Sequence, residues 1–351
     1  MTTLIKHIYK YSKMIPTPLK LNLIYKYSNS NSHSDLLKQA KFMRNEIPIR
    51  LARMSVKLYE LPYGLSNNRY ISDVINLYNS SFGQIMNSPV PTNLYDCKII
   101  ANTLYDIKER HSNVHINVSK GVQEWVGLHT DLKNKLDINY FLDNFYMSRI
   151  GIRTLIGQYI SLFNNDLGII QKCCPRDIIK TSIVQSRNIC DMEYGISPYI
   201  NINGCEEFTF NYIPSHLYYI TFELLKNAMK STIDHNIDDM KDINIYISEG
   251  STDLIIKISD FGGGFSRDNL DNVFSYSYTT TKTKIENDIF PIHHSYDENK
   301  PILSGLGYGV PLSKLYCKYF HGDLQIIPYE GIGTDALIFI NKLGNKNENI
   351  V

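Results

Sequence analysis

A carboxylate and an amide stand four residues apart in the segment Glu223–Lys230, which reads Glu-Leu-Leu-Lys-Asn-Ala-Met-Lys. Residues four apart share one face of a helix, so Glu223 and Asn227 are expected to point in the same direction. A Mg²⁺ ion bound to a triphosphate takes hard oxygen donors and few protein ligands, and an Asn carbonyl on a rigid helix fits this need. An Asn that faced the protein core would need hydrogen-bond partners at both ends of its amide. The alternative to a metal ligand is an ordinary surface Asn, with Glu223 as a solvated carboxylate.

Three glycine-rich blocks follow this segment at intervals of about 25 to 45 residues. In the first block Asp260 ends a strand, and the glycines let the backbone come close to a nucleotide base, where a Cβ would clash. The second block opens a helix, and glycine-rich amides at a helix N-terminus form an anion site for phosphates. The four segments in this order predict an ATP site. The blocks are Asp260-Phe261-Gly262-Gly263-Gly264, Gly305-Leu306-Gly307-Tyr308-Gly309 and Gly331-Ile332-Gly333-Thr334-Asp335.

Two other interpretations of these glycines are rejected. The triad Asp-Phe-Gly at 260–262 also occurs in protein kinases, but the VAIK and HRD motifs that accompany it there are absent. A dinucleotide-binding motif would place its glycines after the first strand of a βαβ unit, whereas 305–309 comes late in the predicted domain.

The elements that would position these residues fall into two groups. Residues 35–165 are predicted to be helical, since apolar residues recur at three- and four-residue spacing, as in Leu51, Met54 and Leu58. From residue 181 the pattern predicts an α+β domain with one mixed sheet faced by helices. We therefore expect an all-α bundle of the four-helix type followed by an α+β domain. The helices are expected at 181–194 and from Pro214, and the strands at 207–213, 243–248, 253–259, 324–328 and 334–340.

The predicted boundaries are a basic segment at 1–34, a bundle at 35–175, a nucleotide-binding domain at 176–345 and a short tail at 346–351. Residues 164–180 are polar, carry Pro175 and are interpreted as the connection between the domains. A chain of 351 residues is long enough for two domains that each bury a core.

Composition excludes several classes of function. The hydrophobic content of 43% and charged content of 20% are ordinary for a globular protein, and no apolar run is long enough to span a bilayer. The formal net charge of +1 gives no reason to expect a nucleic-acid partner. The six cysteines show neither CxxC nor zinc spacing and are interpreted as reduced thiols of an intracellular protein.

The N-terminal segment differs from this average. It contains five lysines, and no acidic residue precedes Asp35. Basic, acid-free and interspersed with Leu, Ile and Tyr, it is similar to a mitochondrial presequence. The alternative is a disordered basic tail.

The four segments resemble the N, G1, G2 and G3 boxes of the GHKL ATPase and kinase superfamily, whose ATP-binding domain has the Bergerat fold. From about Tyr11 to Leu343 the chain also resembles one branch of it, the mitochondrial pyruvate dehydrogenase kinases and branched-chain 2-oxoacid dehydrogenase kinases. The segments that carry this second resemblance are Phe42–Ala52, Tyr140–Arg153, Pro214–Tyr218, Phe274–Tyr276 and Leu315–Gln325.

The resemblance implies roles for individual residues. Glu223 would be the general base that takes the proton of a substrate serine, with His111 orienting it, and Asn227 would bind Mg²⁺. Asp260 would accept a hydrogen bond from the adenine amino group, and Thr334 would place a hydroxyl near the nucleotide unless it is an ordinary strand residue. Residues 279–304 are interpreted as an ATP lid. The implied ATP-binding residues are Glu223, Leu224, Leu225, Lys226, Asn227, Ala228, Met229, Lys230, Asp260, Gly262, Gly264, Thr279, Thr280, Gly305, Leu306, Gly307, Tyr308, Gly309, Val310 and Thr334.

A regulatory pocket for pyruvate or dichloroacetate is also implied, formed by Tyr78, Arg149 and Arg153 together with His111. Two positions depart from the family, because Lys108 and Lys230 stand where arginine is usual. The chain ends at Val351 without the family's tail, which carries an Asp-Trp pair, and this predicts altered docking of the lipoyl domain.

The expected function is that of a protein-serine kinase that uses Mg-ATP to phosphorylate and inactivate the dehydrogenase component of the pyruvate dehydrogenase complex. The alternatives are a branched-chain 2-oxoacid dehydrogenase kinase, an inactive nucleotide-binding adaptor of the complex and a histidine kinase. The expected partners are the dehydrogenase component, the lipoyl domain of the acyltransferase and a second copy of the chain. The expected location is the mitochondrial matrix.

Overall fold

The computed structural model describes residues 3–28, 32–61, 64–128, 138–276 and 307–350. These residues divide into two compact units. The first unit runs to Ile169 with the exception of Lys20–Asn22, and the second unit comprises Lys20–Asn22 and Ile170–Asn349. No helix in these ranges is both long and apolar enough to cross a membrane.

The first unit is helical, as the sequence predicted. Its core is built on α3, which packs against α4, α5 and α7, and these four are the longest helices of the unit. Side-chain caps begin three of them, because Ser32 accepts a hydrogen bond from Asp35 N, Asn68 accepts one from Tyr70 N and Asn93 accepts one from Asp96 N. The helices are α1 (Thr3–Ser12), α2 (Leu21–Ser28), α3 (His33–Tyr59), α4 (Arg69–Asn87), α5 (Leu94–Arg110), α6 (Val114–Leu128) and α7 (Ile138–Phe163).

Helix α1 packs against α3 and α4, so residues 3–12 are an ordered part of the bundle and not a disordered tail. Ile8 is fully buried, and the ring of Tyr11 meets Phe82 edge-on with centroids 5.4 Å apart. The lysines of α1 are exposed, whereas its apolar side faces the bundle. The interpretation of this segment as a presequence stays a prediction.

The second unit is α+β. Its elements are β1 (Gln171–Cys173), α8 (Pro175–Tyr194), β2 (Ile200–Gly204), β3 (Phe210–Tyr212), α9 (Pro214–His235), β4 (Ile243–Glu249), β5 (Asp253–Ser259), α10 (Leu270–Val273), α11 (Gly309–Tyr319), β6 (Asp323–Tyr329) and β7 (Gly333–Asn341). Five strands form a sheet in the order β2-β4-β5-β7-β6. The β2–β4 pair is parallel and the others are antiparallel, so the sheet is mixed as predicted.

One detail of the predicted topology is wrong. The strand expected at 207–213 is only Phe210–Tyr212, and it pairs with Gln171–Cys173 in a separate two-stranded sheet. The boundary between the two units, at Ile169 and Ile170, lies within the connection predicted at 164–180, whose second half contains β1 and the start of α8. Pro175 is the first residue of α8, a position where its missing N–H costs no hydrogen bond.

Alternation along the strands creates the core of this unit. Ile245, Ile256 and Ile338 lie on one face of the sheet and are fully buried. Helices α9 and α11 cover that face. This packing sets α9 beside the end of β5 and the start of α11, which are the places where the predicted ATP-site residues lie.

Candidate active site

The amide and the carboxylate of the predicted site differ in exposure although both lie on α9. From Tyr219 to Met229 every residue is buried except Asn227, which is exposed. Within the described part of the chain the Asn227 side chain makes no hydrogen bond, so its carbonyl oxygen is available to a ligand. A buried stretch of helix, residues 219–229, with one exposed hard oxygen donor suits a metal that takes few protein ligands.

Glu223 is buried one turn before Asn227, and the structure surrounds its carboxylate with specific contacts. Its Oε1 lies 2.8 Å from the Lys226 ammonium, and only 8% of the Glu223 side chain is exposed. The ammonium also lies 4.9 Å from the centroid of the Phe222 ring. On the other side Oε2 approaches Gly309, the first residue of α11. The carboxylate therefore lies between Lys226 and the start of the phosphate-binding helix predicted from the sequence.

Asp260 directly follows β5 and is fixed by backbone groups. Its Oδ1 accepts hydrogen bonds from Gly262 N at 2.9 Å and from Thr334 N at 3.2 Å. Burial raises the pKa of Asp260 to about 6, although these hydrogen bonds act in the opposite direction. At neutral pH the group is thus mainly a carboxylate, which is the form that accepts a hydrogen bond from an amino group.

The glycines after Asp260 also allow close packing within the protein, and their predicted approach to a nucleotide base stays a prediction. A Cβ added at Gly262 would collide with Ser231 of α9, and one at Gly264 would collide with the Tyr329 carbonyl. Gly264 also has φ of +60°, which side-chain-bearing residues rarely adopt. These glycines admit close packing within the protein, and this packing holds Asp260 against α9.

The other predicted ATP-site residues of α9 and Thr334 of β7 differ in their surroundings. Leu224, Leu225, Ala228 and Met229 are buried core residues of α9. Lys230 lies 2.9 Å from Asp234 and 3.2 Å from the Tyr194 hydroxyl, and although burial lowers the pKa of Lys230, these hydrogen bonds outweigh it and raise the pKa. Thr334 contacts Asp260 through its backbone.

At the second glycine block, Gly307 has φ of +69° and Tyr308 packs against Tyr276 with centroids 5.1 Å apart. Val310 is half-buried in the first turn of α11. Thr279, Thr280, Gly305, Leu306 and the predicted lid lie outside the described residues.

The residues predicted to form a regulatory pocket meet in the first unit. They line a small cavity between α4, α5 and α7. Arg149 and Arg153 are 4% and 6% exposed, and Arg149 donates a hydrogen bond to the His111 carbonyl at 2.5 Å. The Nε of Arg149 is buried and has no hydrogen-bond partner in the described part of the chain. The polar lining residues are Tyr78, Lys108, His111, Arg149 and Arg153.

The cavity is electropositive and its side chains respond accordingly. Burial lowers the pKa of Lys108, and the charge of Arg153 lowers it further. Burial raises the pKa of Tyr78, which Arg149 partly offsets. Two buried guanidinium groups beside a neutral phenol form an environment suited to a small anion.

His111 ends α5 and belongs to this cavity. Its Nε2 lies 2.9 Å from Ser81 Oγ, and its ring meets Tyr78 edge-on at 4.6 Å. Burial, together with the charge of Arg149 and other arginines, holds the pKa of His111 well below its usual 6.5, so the ring is neutral. The predicted pairing of His111 with Glu223 stays a prediction.

Two features of the site were missed by sequence reasoning. The contact of Lys226 with Glu223 was not predicted, and the three-residue spacing of Glu and Lys on a helix was the available signal. The assignment of Lys226 to the nucleotide stays a prediction. The role of Ser231 beside Gly262 had no sequence signal. Within the described ranges no group of three or more His, Cys, Asp or Glu side chains could hold a metal ion.

A buried acid and an exposed amide one turn apart, a carboxylate after a central strand and a glycine-started helix together define a GHKL-type ATP-binding domain. Comparisons with known proteins agree. A family model described as "Histidine kinase-, DNA gyrase B-, and HSP90-like ATPase" matches residues 212–343. A second, described as "Mitochondrial branched-chain alpha-ketoacid dehydrogenase kinase", matches residues 18–179.

Similar curated proteins match nearly the whole chain. The mitochondrial pyruvate dehydrogenase (acetyl-transferring) kinase of Arabidopsis thaliana is 36% identical over 99% of this chain and 96% of its own length. The mitochondrial pyruvate dehydrogenase (acetyl-transferring) kinase of Drosophila melanogaster is 33% identical over 99% of this chain and 86% of its own length. Isozyme 4 of the same kinase from Homo sapiens is 32% identical over 98% of this chain and 85% of its own length. The chain therefore belongs to the mitochondrial pyruvate dehydrogenase kinase family, and it is a protein kinase with an ATP-binding domain.

Proposed function

We propose that the protein transfers the γ-phosphoryl group of Mg-ATP to a serine of the dehydrogenase component of the pyruvate dehydrogenase complex and thereby inactivates it. The observation that carries this proposal is the pair on α9, a buried Glu223 and an exposed Asn227 one turn apart. The names of the curated relatives support the choice of substrate.

Each residue of the site has a distinct role in this proposal. Asn227 would hold Mg²⁺ through its amide oxygen, and Asp260 would accept a hydrogen bond from the adenine amino group. Glu223 would take the proton of the serine hydroxyl as the serine oxygen attacks. When bound, ATP would supply the γ-phosphoryl group and leave as ADP, and Mg²⁺ would neutralise part of the negative charge of the phosphates. His111 would support the orientation of Glu223.

The cavity of the first unit is proposed to bind a small carboxylate such as pyruvate or dichloroacetate. Its support is the buried pair Arg149 and Arg153, since guanidinium groups bind carboxylates through paired hydrogen bonds. Tyr78 would close the apolar side of such a ligand. Lys108 keeps the positive charge of a family arginine but presents a single point donor.

The proposed partners are the dehydrogenase component, the lipoyl domain of the acyltransferase and a second copy of the chain. The outer face of the five-stranded sheet favours a homodimer, because half-buried Ile255, Leu337 and Phe339 lie there beside Tyr246, which is 43% exposed. The proposed location is the mitochondrial matrix, supported by the mitochondrial names of the relatives.

The alternative substrate is the branched-chain 2-oxoacid dehydrogenase complex, favoured by the family model that matches residues 18–179. Incubation of the protein with labelled ATP, Mg²⁺ and each complex tests both. Phosphoserine on the pyruvate dehydrogenase component alone is the expected result, with Glu223→Gln as the control that labels far more slowly. Labelling of the branched-chain complex alone would transfer the proposal to that substrate. ATP binding without labelling of either complex would support the inactive adaptor.

A further inference from the structure

We propose that Lys226 and Gly309 are positioning residues that together fix the carboxylate of Glu223, one at each oxygen. This inference rests on the proposed role of Glu223 as the base of phosphoryl transfer. It assigns to Lys226 and Gly309 a task at the base, whereas the sequence assigned both to the nucleotide.

The first contact is an ion pair within the protein core. Lys226 Nζ lies 2.8 Å from Glu223 Oε1, with side-chain exposures of 6% and 8%. Burial of two opposite charges costs desolvation, so such a pair contributes little stability compared with apolar side chains of similar size. What it does supply is a fixed geometry, because removal of either charge leaves the other buried and unpaired. The Phe222 ring, 4.9 Å from the ammonium, further restricts where Lys226 can point.

The second contact explains why residue 309 is glycine. A Cβ at Gly309 would overlap Glu223 Oε2 and lie 3.3 Å from Glu223 Cδ. Gly309 is also the first residue of α11, whose N-terminal end favours negative charge. The carboxylate thus fills the space that a side chain at 309 would need.

The nature of the overlap predicts what a substitution would do. Glu223 Oε2 is the far end of a flexible side chain, so Gly309→Ala should displace the carboxylate and leave the backbone in place. Alanine also keeps the backbone N–H of residue 309, and phosphate contacts through that group would survive. The effect should therefore fall on the base and spare nucleotide binding.

These contacts also couple two parts of the site. Gly307 and Gly309 belong to the block predicted to bind phosphate, and Gly309 touches the proposed base. If this block moved, the space that the Glu223 carboxylate can occupy would change. The position of the Glu223 carboxylate is consequently linked to the conformation of the block that is predicted to bind phosphate.

The test compares four variants in phosphorylation of the intact dehydrogenase complex. Lys226→Met and Gly309→Ala should each lower kcat by about 10- to 100-fold, since displacement of a reacting group by about 1 Å costs up to 10²-fold. The KM and Kd for ATP should change less than about threefold in both variants, a separation that general loss of structure would not produce. Lys226→Arg, which keeps a cation, should recover most of the kcat lost in Lys226→Met.

The two matched controls are Lys318→Met and Gly127→Ala, which should leave kcat unchanged. Lys318 is an exposed lysine of α11, and the helical Gly127 has nothing within 4 Å of an added Cβ. A kcat near wild type in Lys226→Met or Gly309→Ala would overturn the proposal. A loss confined to ATP affinity would also overturn it, because Lys226 and Gly309 would then act in nucleotide binding and not on Glu223.

A second measurement does not depend on the proposed activity. Melting temperatures of Glu223→Gln, Lys226→Met and the double variant form a cycle that reports the pair itself. We expect the double variant to melt well above the temperature that the sum of the two single losses predicts. If the losses of melting temperature in the two single variants add up to that of the double variant, the proposed ion pair between Glu223 and Lys226 is overturned. If the wild-type protein labels no dehydrogenase but the cycle is non-additive, the proposed function is overturned and the ion pair of Glu223 with Lys226 still holds.

Discussion

At the scale of single residues, Asp260 shows how burial and hydrogen bonding oppose each other. Burial raises its pKa to about 6, and hydrogen bonds from Gly262 N and Thr334 N limit the rise. The charged form accepts hydrogen bonds more strongly, so a nucleotide that donates to Asp260 should bind better above pH 6 than below it. The opposite holds for folding: because the folded pKa lies above the ordinary 3.8, the contribution of Asp260 to stability rises as the pH falls from about 6 toward 3.8.

The pH dependence of ATP binding provides the first prediction. Affinity of the wild-type protein should fall as the pH decreases through about 6, beyond any change caused by ATP itself. Asp260→Asn cannot titrate and serves as the reference, since the titration of ATP is common to both proteins. Calorimetry from pH 5 to pH 8 measures the difference. At neutral pH, Asp260→Ala should lose on the order of 1.5–3 kcal/mol of ATP affinity. Parallel profiles for wild type and Asp260→Asn would contradict the proposed contact with adenine.

Asn227 provides the second prediction. Asn227→Ala should abolish Mg²⁺-dependent turnover with little effect on folding, because the side chain is exposed and makes no hydrogen bond within the described residues. Thermal denaturation without ligand should resemble that of the wild type, whereas the Mg²⁺ dependence of ATP binding should disappear. Full Mg²⁺-dependent activity in this variant would remove Asn227 from the metal site.

Glu223→Gln provides the third prediction. The variant should bind ATP but lose phosphoryl transfer by roughly 10²- to 10⁴-fold, because glutamine cannot accept the serine proton. Some activity should remain, since much of this catalysis is positioning and charge stabilisation. His111→Ala should show a smaller loss in the same direction. Single-turnover kinetics at saturating ATP measures both losses, and wild-type turnover of Glu223→Gln would eliminate it as the base.

Sequence reasoning reached these residues because they are few and regularly spaced, but it could not assign their neighbours. The positions of Glu223, Asn227 and Asp260 followed from one helical spacing and one strand end. That Gly262 packs on Ser231 depends on how closely a helix crosses the end of a strand. Tertiary distances of this kind leave no local pattern in a sequence.

At the scale of elements, α1 shows how a charged segment can still be part of a core. Its composition suggested a targeting segment, yet Ile8 is fully buried and the helix packs on α3 and α4. Ile8→Ala should therefore destabilise the bundle by about 2–5 kcal/mol, as large-to-small substitutions of buried isoleucine do. Chemical denaturation measures the loss. Ile15→Ala is the matched control because Ile15 is 86% exposed; equal effects of the two substitutions would show that α1 is not part of the packed bundle.

The strands show where periodicity succeeds as a signal and where it fails. The strands expected at 243–248 and 253–259 were located to within a residue, since buried isoleucines alternate along them. The β2 strand was missed although Ile200 and Ile202 alternate with Asn201 and Asn203, because it has only five residues and none of them is fully buried. It is the strand whose parallel pairing makes the sheet mixed. The two-stranded sheet was missed because each of its strands has only three residues.

At the scale of the whole molecule, each unit has its own core and its own predicted ligand site. Composition and length predicted two domains, but only the structure assigns Lys20–Asn22 to the second unit. This short segment bridges to the end of the chain through Lys20 and Asn347, a long-range contact that no local pattern predicts.

The two cores lead to the last prediction, that ATP stabilises the second unit selectively. A ligand present at about 100 times its Kd adds about 2.7 kcal/mol to the stability of the state that binds it. Hydrogen exchange followed by mass spectrometry should therefore show slower exchange in peptides from α9 and from residues 260–264. Peptides from α3 and α7 should be unaffected.

Two variants supply the controls for this experiment. Asp260→Ala should remove most of the protection given by ATP in the second unit, because it loses the proposed contact with adenine. Ile8→Ala should produce the opposite pattern, with faster exchange in the bundle and unchanged protection of α9 by ATP. If ATP slowed exchange in α3 and α7 as much as in α9, the two units would be one cooperative structure, and ligands of the bundle cavity would then be expected to alter ATP affinity directly.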